Sequence, residues 1–122
     1  MSDKVVAPGT MTAEKLCLLL QKTSYSVATS LGPLEVPGDP VPAIVCADGF
    51  RMSVQADKYT YCRPRQNQGP WTEVEVGFPS AREEALMPYI DGGPDDDPTK
   101  TVYGYVPVKV VVYVINRHGG VL

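Results

Sequence analysis

The chain has 122 residues, 43% hydrophobic and 20% charged, which is room for one globular domain and excludes wholesale disorder. Eleven basic against fourteen acidic residues give a net charge of −3, the wrong sign for holding duplex DNA by phosphate neutralisation. No stretch approaches the ~20 apolar residues of a membrane-spanning helix, and Met1 to Gly9 lacks the basic start and apolar run of a signal peptide, so a cytoplasmic protein with no membrane partner is expected.

Residues 1–11 read as a flexible N-terminus. Thr12 then offers a hydroxyl N-cap and Glu14 an acid in the first turn, and Leu16, Leu19 and Leu20 recur at helical spacing, predicting a helix over about 12–22. The segment from Thr23 to Ser30 reads as a loose continuation of that helix or its frayed end. Pro33, Pro37, Pro40 and Pro42 crowd into residues 32–42, predicting an extended surface connector.

From Phe50 the period changes to two. Phe50, Met52, Val54 and Ala56 alternate with Arg51, Ser53, Gln55 and Asp57, and Thr72, Val74, Val76 and Phe78 alternate with Glu73, Glu75 and Gly77. These runs predict an antiparallel hairpin of about 49–62 and 71–78, closed by the polar loop Arg63 to Pro70. Ser80 and Glu83 have capping-box spacing ahead of a short helix to about Met87. Residues 91–99 form an acidic loop.

A strand of about 101–106 follows, with Val102, Gly104 and Val106 on one face and Tyr103 and Tyr105 on the other. Valine favours strands, yet Val108, Val111, Val112 and Ile115 repeat at helical spacing after Pro107, and Asn116 to Gly120 has the composition of a helix stop. A C-terminal helix of about 107–118 is therefore expected. The fold class is α+β: one domain, a small antiparallel sheet packed with an N-terminal and a C-terminal helix.

Little in the sequence announces chemistry. Cys17, Cys46 and Cys62 lie far apart, with no CxxC spacing, and read as three reduced thiols, two of them buried. His118 is the only histidine and reads as a helix C-terminal cap; neither a metal site, a catalytic residue nor a cofactor is expected. Asp95, Asp96 and Asp97 lack the alternating ligands of a calcium loop and read as solvated. The densest chemistry is Tyr59, Tyr61, Arg63, Arg65 and Trp71, within thirteen residues. Aromatic faces stack on bases and arginine forks match phosphate oxygens, so the cluster can cradle a nucleotide. Tyr103, Tyr105 and Arg117, with Arg51, are candidates to join it. The other reading is an aromatic-buttressed hairpin whose arginines pair with Glu73, Glu75 or the acidic loop.

The motifs DGFRMSVQA (48–56), YCRPR (61–65), VEVGFPS (74–80), TVYGYVPV (101–108) and HGG (118–120) together resemble a family of small accessory proteins from tailed phages and prophages. The resemblance spans about Asp48 to Gly120 and supplies a setting, a bacterial host cell, rather than an activity. Small phage accessory proteins without catalytic residues often act by binding, so a non-enzymatic binding protein with a counter-defence role is expected. One form is similar to the phage sponges, homo-oligomers that sequester a nucleotide-derived immune signal, with the Tyr/Arg/Trp cluster as the site. A second is similar to anti-CRISPR proteins that block a host defence complex, and there Glu73, Glu75 and Asp95 to Asp97 would carry the contact. A third is a virion or assembly component.

Overall fold

The computed structural model describes residues 9–22, 24–93 and 96–122. In chain order its elements are α1 (Ala13–Leu20), β1 (Ser24–Thr29), β2 (Gly32–Pro37), β3 (Ile44–Val45), β4 (Arg51–Gln55), β5 (Glu73–Gly77), a 3-10 segment (Glu84–Tyr89), β6 (Val102–Pro107) and α2 (Val108–Arg117). An antiparallel four-stranded sheet in the order β3-β4-β5-β6 and a separate β1-β2 hairpin make an α+β fold.

Alternation along β4 and β5 does what the period promises. Met52, Val54, Val74 and Val76 are buried on one face, and Val54 pairs with Val76 across the ladder. The core continues through Leu16 and Leu20 of α1 and Val108, Val111, Val114 and Ile115 of α2. The valine-rich helix forms because its apolar stripe meets that core, and burial outweighs the β preference of valine. Leu19, expected in the α1 stripe, is 53% exposed.

Four sequence expectations change. The helix ends at Leu20, where Gln21 turns to extended backbone. Beyond residue 23, which lies outside the described residues, the supposed helical continuation is instead the strand β1. It pairs with β2, so the proline-rich connector 32–42 is half strand. Ser80 does not cap a helix. Its hydroxyl accepts the Arg51 N–H at 3.0 Å, and the 3-10 segment is capped by Glu83, whose carboxylate accepts the Ala85 N–H at 3.2 Å.

The faces of β6 also differ. Val74 pairs with Val106 but Val76 pairs with Tyr103, so β6 has one residue more than β5 between these pairs. That bulge, with Tyr105 at φ 53°, turns both Tyr103 and Val106 into the core.

The N-terminal expectation splits. Residues 1–8 are outside the described set, but residues 9–11 are tied down. Met11 is buried and exchanges hydrogen bonds with the Asn116 side chain at 2.7 and 2.9 Å, and Val121 N–H donates to the Gly9 carbonyl at 2.7 Å. In the acidic loop, where Pro94 and Asp95 are not described, Asp97 accepts the Thr99 N–H and hydroxyl. All three cysteines are free, with Cys46 and Cys62 buried. Among the described residues no helix is long and apolar enough to cross a membrane.

Candidate functional site

The loop between β4 and β5 is a built structure rather than a polar tether. Asp57 anchors its start: the carboxylate pairs with Lys22 Nζ at 2.7 Å, with both side chains under a tenth exposed, and accepts the Tyr59 N–H at 2.7 Å. Asp57 O also accepts from Thr60 Oγ1 at 3.2 Å and Cys62 Sγ at 3.1 Å. At the far end Arg63 forms a bridge with Glu73, its N–H donating to the Glu73 carbonyl at 2.9 Å. Trp71 closes the loop from below, 3% exposed, its indole N–H donating to Gln66 O at 3.1 Å.

Onto this frame the chain sets three cation–aromatic pairs. Lys58 Nζ lies 5.4 Å from the Tyr59 ring centre, Arg65 Cζ 5.9 Å from Tyr61, and Arg63 Cζ 4.7 Å from Tyr105. All three cations belong to this one loop, while Tyr105 comes from β6. Tyr61 and Tyr105 also meet, ring centres 5.8 Å apart, and Tyr105 N–H donates to Tyr61 O at 2.9 Å. The approach depends on Gly104, since a Cβ there would stand 3.2 Å from Tyr61 Cβ. Each guanidinium is held through Nε: Arg63 by Glu73 Oε1 at 3.1 Å, Arg65 by Thr60 O at 3.2 Å.

Two of the three cations, Lys58 and Arg65, also line a polar cleft of about 410 Å³ between the loop and the β1-β2 hairpin, together with Gln66, Asn67, Gln68, Gly69 and Glu35. A smaller hollow of about 230 Å³ opens between Tyr61, Tyr89, Gly104 and Tyr105. The arrangement offers fixed cations, amides and ring faces, suited to an anion carrying a planar ring.

Of the residues singled out in the sequence, Tyr59, Tyr61, Arg63, Arg65 and Tyr105 come together on this surface. Trp71 and Tyr103 do not reach it. Both are core residues, and the Tyr103 hydroxyl donates to Pro98 O. Arg117 joins a different cluster, pairing with Glu83 at 3.2 Å. Arg51, an exposed residue of β4, pairs with Val45 of β3; its N–H donates to the Ser80 hydroxyl and its carbonyl accepts the Ser80 N–H.

That second cluster went unread in the sequence. His118 stacks on Phe50, rings 4.1 Å apart and 8° from parallel, with Nδ1 2.6 Å from Asp48 Oδ2 and Nε2 2.9 Å from Glu83 Oε1. Glu83 is 4% exposed. Burial alone would lower the His118 pKa; the hydrogen bonds to Asp48 and Glu83 and their charges outweigh it and raise the value above 6.5. The Asp48 carboxyl is held below its ordinary range, first by the Phe50 N–H and then by His118. With a carboxylate facing each ring nitrogen, the charged imidazolium is favoured and the ring works as a clamp between three chain segments. The spacing of 70 and 35 residues to its partners leaves no local signal. Among the described residues no group of three or more His, Cys, Asp and Glu is arranged to hold a metal ion.

Compared with protein-family models, with curated proteins and with solved structures, the chain has no match.

Proposed function

We propose that this chain is a non-catalytic binding protein that captures a small anionic, ring-bearing ligand of the nucleotide class on the 58–69 loop. The observation that carries the reading is the set of three cation–aromatic pairs, two of whose cations, Lys58 and Arg65, line a polar cleft of about 410 Å³. That volume falls within the ~300–1,000 Å³ of small-molecule sites. Lys58, Arg63 and Arg65 match phosphate oxygens, and the Tyr59 and Tyr61 rings and the guanidinium planes offer stacking faces to a base. The resemblance to phage accessory proteins supplies the setting: a sponge acting in the host cytoplasm, a homo-oligomer that withdraws a nucleotide-derived immune signal. Glu73 and Glu75 bear on the inhibitor reading. They are half-buried and engage Arg63 Nε and the Tyr61 N–H, which favours a ligand site over an acidic mimic of nucleic acid.

The sole tryptophan supplies the assay, since Trp71 is bonded to Gln66 on the cleft wall. Titration with cyclic di- and oligonucleotides and ADP-ribose derivatives is expected to shift its fluorescence for at least one of them, and native mass spectrometry then reports ligands per oligomer. Arg65→Ala and Arg63→Ala should each weaken binding roughly tenfold or more, the scale of a lost charge-assisted hydrogen bond. Silence across the whole panel, or affinity and protective activity unchanged in the double arginine variant, would sink the proposal.

A further inference from the structure

The β1-β2 hairpin stands apart from the core. Its strands pair with each other, and neither packs extensively against another element. Val27 and Leu34 are 40% and 42% exposed, and Leu31 at the tip is 98% exposed. A lone two-stranded hairpin is marginal in water; a third strand or a covered face is what makes it persist.

The backbone decides which edge would take that strand. The register pairs Thr29 with Gly32, Val27 with Leu34 and Tyr25 with Val36. A two-residue turn at Ser30 and Leu31 makes the closing pair one that exchanges both hydrogen bonds, so these three pairs bond and the pairs between them do not. The prolines agree. Pro33 and Pro37, which have no N–H to exchange, fall opposite Ala28 and Ser24 in the non-bonded pairs. The outer edge of β2 is therefore Pro33, Glu35 and Pro37, blunted by two missing donors. The outer edge of β1 is Ser24, Ser26 and Ala28, each with N–H and C=O turned away from β2. Among the described residues no backbone hydrogen bond outside the hairpin engages these three.

The edges of the larger sheet are occupied. Leu122 N–H donates to Val45 O and Ala47 N–H to Gly120 O, both at 2.9 Å, along β3. On β6, Asp91 N–H donates to Val102 O at 2.9 Å and Ile90 bridges Tyr103. Among the described residues the β1 edge is thus open, and a second copy presents the same edge.

We propose that β1 pairs antiparallel with β1 of a second copy of this chain, giving a continuous β2-β1-β1-β2 sheet about a two-fold axis at Ser26. In this register Ser26 faces its own copy and Ser24 faces Ala28, so all three outward residues are used, with about six new hydrogen bonds. A slip of one residue sets outward groups against inward ones, and other slips leave an outward residue unpaired. No charged residue lies between Ser24 and Thr29, so no like charges meet. The same operation on β2 would set Glu35 against its copy and offer prolines. Pairing also brings Val27 and Leu34 of both copies onto one face of the joined sheet. An edge this short buries less than the ~1,200–2,000 Å² of a tight interface, so the association is of micromolar strength or weaker.

Sedimentation of the full chain from about 1 µM to about 1 mM is expected to show a monomer–dimer equilibrium. Ser26→Pro should weaken it at least tenfold without altering circular dichroism or thermal melting, because the Ser26 N–H has no part in the β1-β2 ladder. Ser26→Cys in a Cys17→Ser background tests the register independently. The axis brings the two Cα atoms to about 5.5 Å, within disulfide reach. Mild oxidation should therefore link the dimer, while Ser24→Cys, which faces residue 28, should not link. A chain still monomeric at about 1 mM overturns the proposal and leaves the edge to a strand of a different protein. A dimer indifferent to Ser26→Pro, or one that links through Ser24→Cys as readily, overturns it too.

Discussion

At His118 burial and charge pull in opposite directions. Partial burial disfavours the imidazolium, yet the hydrogen bonds to Asp48 and Glu83 and their charges favour it, and the net result is a raised pKa. The sign of the pH dependence follows. A raised histidine contributes stability that is complete below its ordinary value of 6.5 and is lost as pH rises through the higher folded-state value. Asp48, held low, contributes above its ordinary value of 3.8 and loses that contribution as pH falls through its lower folded-state value. The clamp is therefore strongest between these limits. Urea unfolding from about pH 6 to about pH 9 should show wild-type stability falling more steeply than that of His118→Gln, which has no group titrating at that position. Parallel profiles would mean that the imidazolium contributes nothing to holding the 46–50 and 80–84 turns against α2.

Elements were legible in the sequence where a period is local and regular. The runs 50–57 and 72–78 located β4 and β5 and their buried Met52, Val54, Val74 and Val76, though Thr72 and Phe78 at the ends of the second run are exposed, and the valine stripe named α2 against its own propensity. Where an irregularity intervenes, periodicity loses count. The extra residue in β6 reverses the parity of Tyr103, so a ring placed beside Tyr105 in the sequence lies in the core instead. The hairpin escaped because its apolar positions are half exposed and its prolines suggested a connector, although they occupy outward-facing positions. The Tyr59–Arg65 part of the site was readable because the residues are neighbours in the chain; its Tyr105 side needed the bulge.

Phe78 marks the other end of the same strand pair. It ends the β5 run at φ 50°, before Pro79, with 59% of its surface exposed and its N–H donating to Thr101 O at 3.0 Å. A bulky residue in left-handed backbone costs on the order of 1–3 kcal/mol, and a ring this exposed regains little by packing. Phe78→Gly should therefore raise the unfolding free energy by roughly 0.5–1 kcal/mol, the strain relieved exceeding the added freedom of the unfolded chain. A loss of stability on urea denaturation would show that the ring, not the backbone, governs this corner.

The whole molecule is closed by a seam of three segments. Val121 N–H donates to Gly9 O at 2.7 Å, Val121 bridges Cys46, and Gly120 O accepts the Ala47 N–H at 2.9 Å. The start of the described chain, its C-terminal residues and the β3 edge thus form one short ladder that covers an edge otherwise open to pairing. Gly120 sits at its centre with φ 87°, and a Cβ there would lie 2.6 Å from the Gly9 carbonyl oxygen. Gly32 at the hairpin tip separates the two costs that glycine avoids: its φ is 111°, but a Cβ would meet nothing within 4 Å. Gly32→Ala should lose about 1 kcal/mol, the backbone penalty alone. Gly120→Ala must also part the seam, and should lose at least about 2 kcal/mol more. Urea unfolding of the two variants side by side measures the difference. Equal losses would mean that the 9–10 segment yields freely and that the seam contributes little to closing the edge of β3.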